Sequence, residues 1–248
     1  MIDRRRFIAT GASGLLLGGC DRLNDSQSFR GLLRSAEKLT MASQRLISPR
    51  DALARQYSEA DLSPIFRSNG TRVPGGDEYA RHMAEQFANW SLVVDGLVAR
   101  PLSIPIQTLR SLPHRVQITR HDCVEGWSAI GKWHGVELSR VLDHAGLSTR
   151  AKYIVFHCAD RFGDKPFYES IDLVDAFHPQ TILAFGLNGH LLPVPNGAPL
   201  RLRVERQLGY KQAKYIQRIE AVDSLAHVYG GKGGYWEDNV DYEWYAGI

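Results

Sequence analysis

Cysteine is scarce in this 248-residue chain, three in all at positions 20, 123 and 158, and that scarcity excludes a good deal. Three thiols are too few for an all-cysteine iron–sulfur cluster, and no Cys-x-x-Cys-His string offers a haem attachment point. Nor does any cysteine pair have the short spacing of a structural zinc site. Long apolar runs are also missing. The longest near the start, residues 7–19, falls short of the roughly 20 residues needed to cross a hydrocarbon core about 30 Å thick, so it is not a normal membrane span. Lysine and arginine nowhere cluster on one face among exposed aromatics, which speaks against a nucleic-acid surface. The formal charge is only +3, and removing residues 1–19 takes Arg4, Arg5, Arg6 and Asp3 with it and leaves +1. Neither an internal repeat nor a low-complexity tract is present, so a solenoid is excluded.

What is present begins with a positive start and a short Gly- and Ala-rich apolar core, the pattern of a secretory signal. A buried helix is the alternative, but Gly11, Gly14, Gly18 and Gly19 would each cost it about 1 kcal/mol against alanine. The run Arg4-Arg5-Arg6-Phe7-Ile8 resembles the twin-arginine export motif, an address for proteins that fold before they cross the membrane. LLLGGC, ending at Cys20, resembles a lipobox, in which Cys20 would be acylated and hold the protein to the membrane surface; Asp21 resembles an inner-membrane retention signal. An ordinary cysteine in a cleaved signal stays open as the alternative. The expected organisation is a signal peptide over residues 1–19, a lipidated Cys20 with tether and helical arm over 20–60, and one domain over 61–248, in the periplasm and anchored to the inner membrane.

Along the arm, residues 21–28 read as a polar tether. Phe29, Leu32, Leu33, Ala36 and Leu39 recur at helical spacing. Ser48-Pro49-Arg50-Asp51 has the form of a fresh helix start. From about residue 90 the pattern becomes extended: Trp90, Leu92 and Val94 alternate up to an Asp95-Gly96 turn, Leu97 and Val98 resume, and Val116 and Ile118 lead into His121-Asp122-Cys123. Residues 136–147 carry Leu138, Val141, Leu142 and Ala145 on one helical face with Gly146 as its stop. Buried strands are expected at 153–158 and 182–187, and further strands at 200–204 and 215–219. Strands outnumber helices without a βαβ rhythm, so the fold class is α+β and strand-rich.

The chemistry concentrates in HDCVEGWS, residues 121–128. A thiolate is a soft ligand suited to redox-active metals, whereas a lone cysteine beside acids is poorly activated as a nucleophile. The string from Cys123 to Ser128 resembles the sulfite-oxidase-like molybdopterin-dependent oxidoreductases, in particular the bacterial branch that contains the methionine-sulfoxide reductase catalytic subunit. The resemblance implies a sulfite-oxidase-type fold, a Mo-molybdopterin cofactor and Cys123 as the metal ligand. A second match, Asn196-Gly197-Ala198-Pro199-Leu200-Arg201 followed by Gly209-Tyr210-Lys211-Gln212-Ala213-Lys214, implies that Asn196, Arg201, Gln212, Ala213 and Lys214 hold the pterin and its phosphate. A phosphate is indeed suited by fixed cations and by backbone N–H groups of a turn. A third match, residues 64–70, places Asn69 at the pterin. Cys158 stands where that branch has a cofactor-contacting threonine, a departure that leaves the substrate open.

Glu125 has two readings: a catalytic proton donor or acceptor, since oxygen-atom transfer coupled to reduction consumes protons, or an acceptor that fixes a neighbouring N–H. Trp127 and Trp133 read as core or pocket wall. The glycine- and aromatic-rich end, residues 230–248, reads as a packed tail, with a hinged lid or docking surface as the alternative. The expected function is two-electron redox and oxygen-atom transfer on a small substrate or sulfoxide. With no haem or iron–sulfur site in the chain, a separate redox protein, a membrane or periplasmic cytochrome, would exchange the electrons. The alternatives are a cofactor-free lipoprotein binding module on the same fold, with Cys123 and Cys158 bridged or free, and a cysteine hydrolase with His121 as its base.

Overall fold

The computed structural model describes residues 26–248. The expected signal, Cys20 and Asp21 lie outside the described residues. The chain divides into two units, Met1–Pro49 and Arg50–Ile248.

In the first unit, α1 (Gln27–Ile47) starts at Ser26, whose hydroxyl accepts the Phe29 N–H at 3.4 Å. The helical repeat read from Phe29 onward is there, but the fresh start at Ser48 is not. Ser48 instead closes α1: its N–H reaches Gln44 O at 2.8 Å while its backbone is extended (φ −100°, ψ 119°). A residue before proline is pushed out of the helical region by the proline ring, so Ser48-Pro49 ends a helix here instead of beginning one.

Two sheets build the second unit. The first has the order β2 (Leu102–Pro105), β1 (Ser91–Gly96), β10 (Ile216–Val222), β5 (Tyr153–Phe162), β6 (Lys165–Asp172). The second runs β3 (Arg115–Asp122), β4 (Ser128–Glu137), β7 (Ile182–Leu187), β8 (His190–Leu191), with β9 (Arg201–Arg203) also on β7. Short helices join them: α2 (Asp77–Ala84), α3 (Ile106–Ser111), α4 (Leu138–Ala145), α5 (Leu173–Ala176) and α6 (Tyr235–Val240). The fold is strand-rich α+β. The stretches read as strands at 153–158, 182–187, 200–204 and 215–219 are β5, β7, β9 and β10, and the helix read at 136–147 is α4. Leu97 and Val98 do not resume a strand; Val98 makes a single bridge to Leu147.

The main core is filled from both sheets, by Leu92 and Val94 of β1, Ile154 and Phe156 of β5, Ile219 of β10, and Val136, Leu183 and Leu202 of the second sheet, all buried. Burial of each such side chain contributes about 1.5–3 kcal/mol. Residues 52–57 do not belong to an arm but follow the edge of β3: Tyr57 N–H reaches Ile118 O at 2.9 Å, and the Gln180 amide grips Ala54 at both backbone groups, at 2.7 and 3.1 Å.

Strand β3 departs most from its pattern. Val116 is exposed and Ile118 half-buried, while Gln117, Thr119 and His121 are buried. The inward face is therefore the polar one. Its groups are paired only in part: the Gln117 amide donates to Glu205 Oε1 at 2.8 Å and to Gln180 O at 3.1 Å, whereas Thr119 Oγ1 and His121 Nε2 have no partner. A strand with its polar face inward is stable only where partners or a ligand satisfy that face, and this face leads directly to Cys123.

Candidate active site

Cys123 caps β3 at the head of the β3–β4 hairpin. Its N–H donates to Trp127 O at 2.9 Å and its carbonyl accepts from Gly126 N–H at 3.0 Å, so a closed turn fixes a thiol that is 6 % exposed. Burial pushes the Cys123 thiol above its ordinary pKa, as does the Glu125 charge; the Glu125 N–H, the Asn69 side chain and Arg201 act in the opposite sense and favour the thiolate. An open cleft with a volume of about 140 Å³ lies against it. Glu125, Asn69, Thr71, Asp160, Gln212 and Lys214 line its polar parts, and Phe162, Phe167, Tyr210, Trp236 and Tyr242 its apolar ones.

Behind the cleft lies a buried cationic floor. Arg201 and Arg203, adjacent on one face of β9, both stand over the Trp133 ring, at 5.0 and 4.4 Å from its centroid, contacts worth about 0.5–2 kcal/mol each. Arg203 is neutralised by Glu205, with Nε to Oε1 at 3.0 Å, and its Nη1 donates to His121 Nδ1 at 2.9 Å. Burial, with Arg203 and Arg201 beside it, holds the His121 pKa well below its ordinary value; the ring is neutral and its proton sits on Nε2. Among the described residues Arg201 forms no salt bridge. Its guanidinium donates to Asn196 O at 2.9 Å and to Gln212 O at 3.4 Å, and burial followed by the Arg203 charge lowers its pKa to about 9. Gly209 is required by this floor: a Cβ there would stand 2.6 Å from His121 Cε1 and Nε2. Gly197, at φ 114°, holds the turn between Asn196 and Arg201 in a conformation closed to other residues without strain.

The expected site residues fall into three groups. Asn69, Cys123, Glu125, Gln212 and Lys214 come together on the cleft. Asn196, Arg201 and Ala213 are buried, outside its lining. Cys158 is buried in the main core with its thiol toward Phe156 O at 3.8 Å, and does not line the cleft. Both cysteines are free, so the bridged form of the binding-module reading is not what the chain adopts. The His121 Nδ1 lone pair is engaged by Arg203 at 2.9 Å, and the groups around the Cys123 thiol are Asn69, Glu125 and Arg201, which does not favour the hydrolase reading. Glu125 accepts the Trp127 indole N–H at 2.9 Å and also lines the cleft, an arrangement compatible with either of its two readings. Lys214 is not an open cation: its ammonium donates to Asn69 O at 2.6 Å, to Pro195 O at 3.0 Å and to Thr71 O. Burial and Arg201 lower its pKa to about 7. It ties the Asn69 loop to the site.

Two features were missed in the sequence. One is the part of the aromatic lining made by Phe162, Phe167 and Tyr210; Trp236 and Tyr242 belong to the segment whose alternative reading is a lid or docking surface. The other is Asp160, on β5 two residues beyond Cys158, 3 % exposed and on the cleft. Burial raises its carboxyl to about 6, against the opposing hydrogen bond of Thr71 and the charge of Lys214. Between about pH 4 and pH 6 native Asp160 holds a proton that the unfolded chain has released, so its contribution to stability falls across that window by roughly 3 kcal/mol. Asp160→Asn is expected to flatten this fall in the cofactor-free protein, read as urea midpoints against pH. An unchanged slope would place the titrating group elsewhere.

Several buried atoms around the cleft lack a hydrogen-bond partner: Asn196 Nδ2, Gln212 Oε1, His121 Nε2, Arg201 Nε and Asp160 Oδ1. Each would cost about 1–3 kcal/mol if left so. Donors and acceptors are mixed, a cation stands behind them and a soft thiol beside them. That set fits a heterocycle with many N–H and C=O groups, an anionic tail and a thiophilic metal.

Comparison with known proteins agrees. The family described as "Oxidoreductase molybdopterin binding domain" matches residues 80–229. The chain is 38% identical over 232 residues to the "Putative protein-methionine-sulfoxide reductase subunit YedZ1" of Azospira oryzae, covering 94% of this chain and 82% of that protein. It is 36% identical over 147 residues to the "Protein-methionine-sulfoxide reductase catalytic subunit MsrP" of Gluconobacter oxydans, covering 54% of this chain and 47% of that one. Among solved structures, the sulfane dehydrogenase SoxCD of Paracoccus pantotrophus shares the fold, with a TM-score of 0.51 at 23% identity over 55% of this chain and 39% of that one.

Proposed function

The chain belongs to the oxidoreductase molybdopterin-binding family, an enzyme family whose cofactor is Mo-molybdopterin, and from that premise we propose that it reduces an organic sulfoxide outside the cytoplasm, at the Cys123 cleft. The observation that carries the reading is the meeting of a turn-fixed, buried Cys123 on the cleft with unpartnered polar atoms around it and the buried Arg201 behind it. It is supported by likeness to relatives named for protein-methionine-sulfoxide reduction.

When bound, the cofactor supplies a two-electron metal centre that takes up or gives an oxygen atom. The rest is done by the chain. Cys123 would be the metal ligand. Its raised thiol pKa means that metal binding releases the proton, and Asn69 and Arg201 favour the thiolate that remains. Asn69, Asn196, Gln212, Ala213 and Arg201 would hold the pterin and its phosphate, with Lys214 bracing the Asn69 loop. Reduction of a sulfoxide to a sulfide and water takes up two electrons and two protons. Glu125, exposed at the cleft edge and held by Trp127, passes protons inward from solvent, and Asp160, with a carboxyl near pH 6, holds one inside. The electrons come from a separate redox protein, in our reading a membrane cytochrome, which an enzyme exported by its signal-like start and anchored through Cys20 would meet at the periplasmic face of the inner membrane.

The test is a two-electron assay with a reduced viologen dye as donor. The molybdenum-loaded protein is expected to oxidise the dye on addition of methionine sulfoxide, with one sulfide formed for each pair of electrons consumed. Dye oxidation with sulfite or nitrate but not with any sulfoxide would refute the reading.

A further inference from the structure

The cleft draws residues from both sides of the part of the chain that the family describes, Asn69, Gly70 and Thr71 before it and two aromatic residues after it. Trp236 and Tyr242 line it, yet the family match stops at residue 229. The segment that carries them is not loose. Its glycine run is closed by Asp238, which accepts the N–H groups of Gly230 and Lys232 at 2.9 Å each. Beyond it, Glu237 is bound to Lys211 at 2.7 Å, Trp244 donates to Ser170 at 2.9 Å, and Leu208 N–H reaches Ala246 O at 2.9 Å. The rings are held as firmly: Trp236 lies 5.2 Å from Phe162 and 6.0 Å from Tyr242, and Tyr242 lies 5.1 Å from Tyr210.

The charge of the cleft points the same way. Among the described residues, Lys214 is the one cation that lines it, and its ammonium is spent on three backbone carbonyls. An inorganic oxyanion bound beside Cys123 would find no open cation there, whereas a neutral group with an apolar, polarisable substituent would find fixed aromatic faces, against which sulfur makes favourable contacts.

We propose that Trp236 and Tyr242 are the specificity-determining residues of this enzyme, supplied by the C-terminal segment to receive the apolar substituent of a neutral sulfoxide. The inference rests on the reading of the cleft as a sulfoxide site and adds which residues choose among sulfoxides. A rigid aromatic wall discriminates by the area that a substituent buries against it, so loss of one ring penalises large substituents more than small ones.

The experiment compares methyl p-tolyl sulfoxide with dimethyl sulfoxide in the molybdenum-loaded wild type, Trp236→Ala, Trp236→Phe and Tyr242→Ala, by steady-state kinetics and by calorimetric titration. The ratio of kcat/KM for the aryl over the dimethyl compound is expected to fall roughly ten-fold or more in Trp236→Ala and Tyr242→Ala. Trp236→Phe restores most of it, and the loss appears mainly in KM. Turnover of both compounds with an unchanged ratio in the alanine variants overturns the wall and leaves the sulfoxide reading intact. Binding of the aryl compound to wild type, lost in Trp236→Ala but without turnover, keeps the wall and overturns the sulfoxide reading. Failure of the wild type to bind the aryl compound overturns the wall. Equal melting temperatures in wild type and variants exclude misfolding as the cause.

Discussion

Cys123→Ser is expected to lower sulfoxide turnover by about a thousand-fold or more, the scale of losing several kcal/mol of metal-centred stabilisation, while leaving the fold in place. The expectation follows from where the residue sits. The Cys123 backbone is fixed by bonds to Trp127 and Gly126 that serine preserves, and its side chain faces the cleft rather than the core, so one sulfur is exchanged for oxygen with little change in volume. What is lost is the soft ligand, for which a hydroxyl is a poor substitute. Circular dichroism and the urea midpoint of the cofactor-free protein are expected to match the wild type. Retention of a tenth or more of the wild-type rate would show that the thiolate is not the protein's link to the metal.

Lys211→Ala is expected to give the largest loss of stability, about 3–5 kcal/mol, because it leaves carboxyl groups buried without their cation. Lys211, Glu169 and Glu237 are all fully buried, and the Lys211 ammonium donates to both carboxyls, to Glu237 Oε1 at 2.7 Å. Burial and the Glu237 charge push the Glu169 carboxyl well up. Although burial disfavours the Lys211 charge, the two acids hold its pKa above the ordinary value. The cluster joins the segment after β9 and strand β6 to α6, so its loss also frees the aromatic wall. Urea denaturation is expected to show the loss and limited proteolysis to show new cleavage between residues 230 and 242. The triple variant Lys211→Met, Glu169→Gln, Glu237→Gln removes the charges together and is expected to recover much of the loss. A loss below about 1 kcal/mol in Lys211→Ala would mean that solvent reaches the cluster.

Reading the chain without its structure locates the metal end of the site and misses most of its walls, for physical reasons. Cys123 is legible because a thiol among His121, Asp122, Glu125 and Trp127 at a strand end is rare and chemically pointed. Strand β3 is not legible: alternation of valine and isoleucine with polar neighbours says which residues share a face, but not that the polar face is the buried one. Only the distant partners Gln180, Arg203 and Glu205 settle that. Asp160 sits in a stretch, Ala159-Asp160-Arg161, that looks like the fraying end of a strand, and the groups that act on its carboxyl, Thr71 and Lys214, are distant in sequence. β4 escapes notice because Ala129, Gly131 and Gly135 carry part of its inward face, and small residues leave little hydrophobic alternation. Lys214 looks like an open phosphate ligand because its three carbonyl partners come from residues 69, 71 and 195, far from it in sequence. Ser48-Pro49 illustrates the reverse failure: a correct local preference with two opposite outcomes, decided by whether a helix precedes it.

The most direct test of the account is the molybdenum and pterin content of the protein purified from a host that makes the cofactor, wild type beside Cys123→Ser. The account predicts close to one molybdenum and one pterin per wild-type chain, with the metal reduced or lost in the variant. Wild-type protein without molybdenum, from a host that loads other molybdenum enzymes, would contradict it.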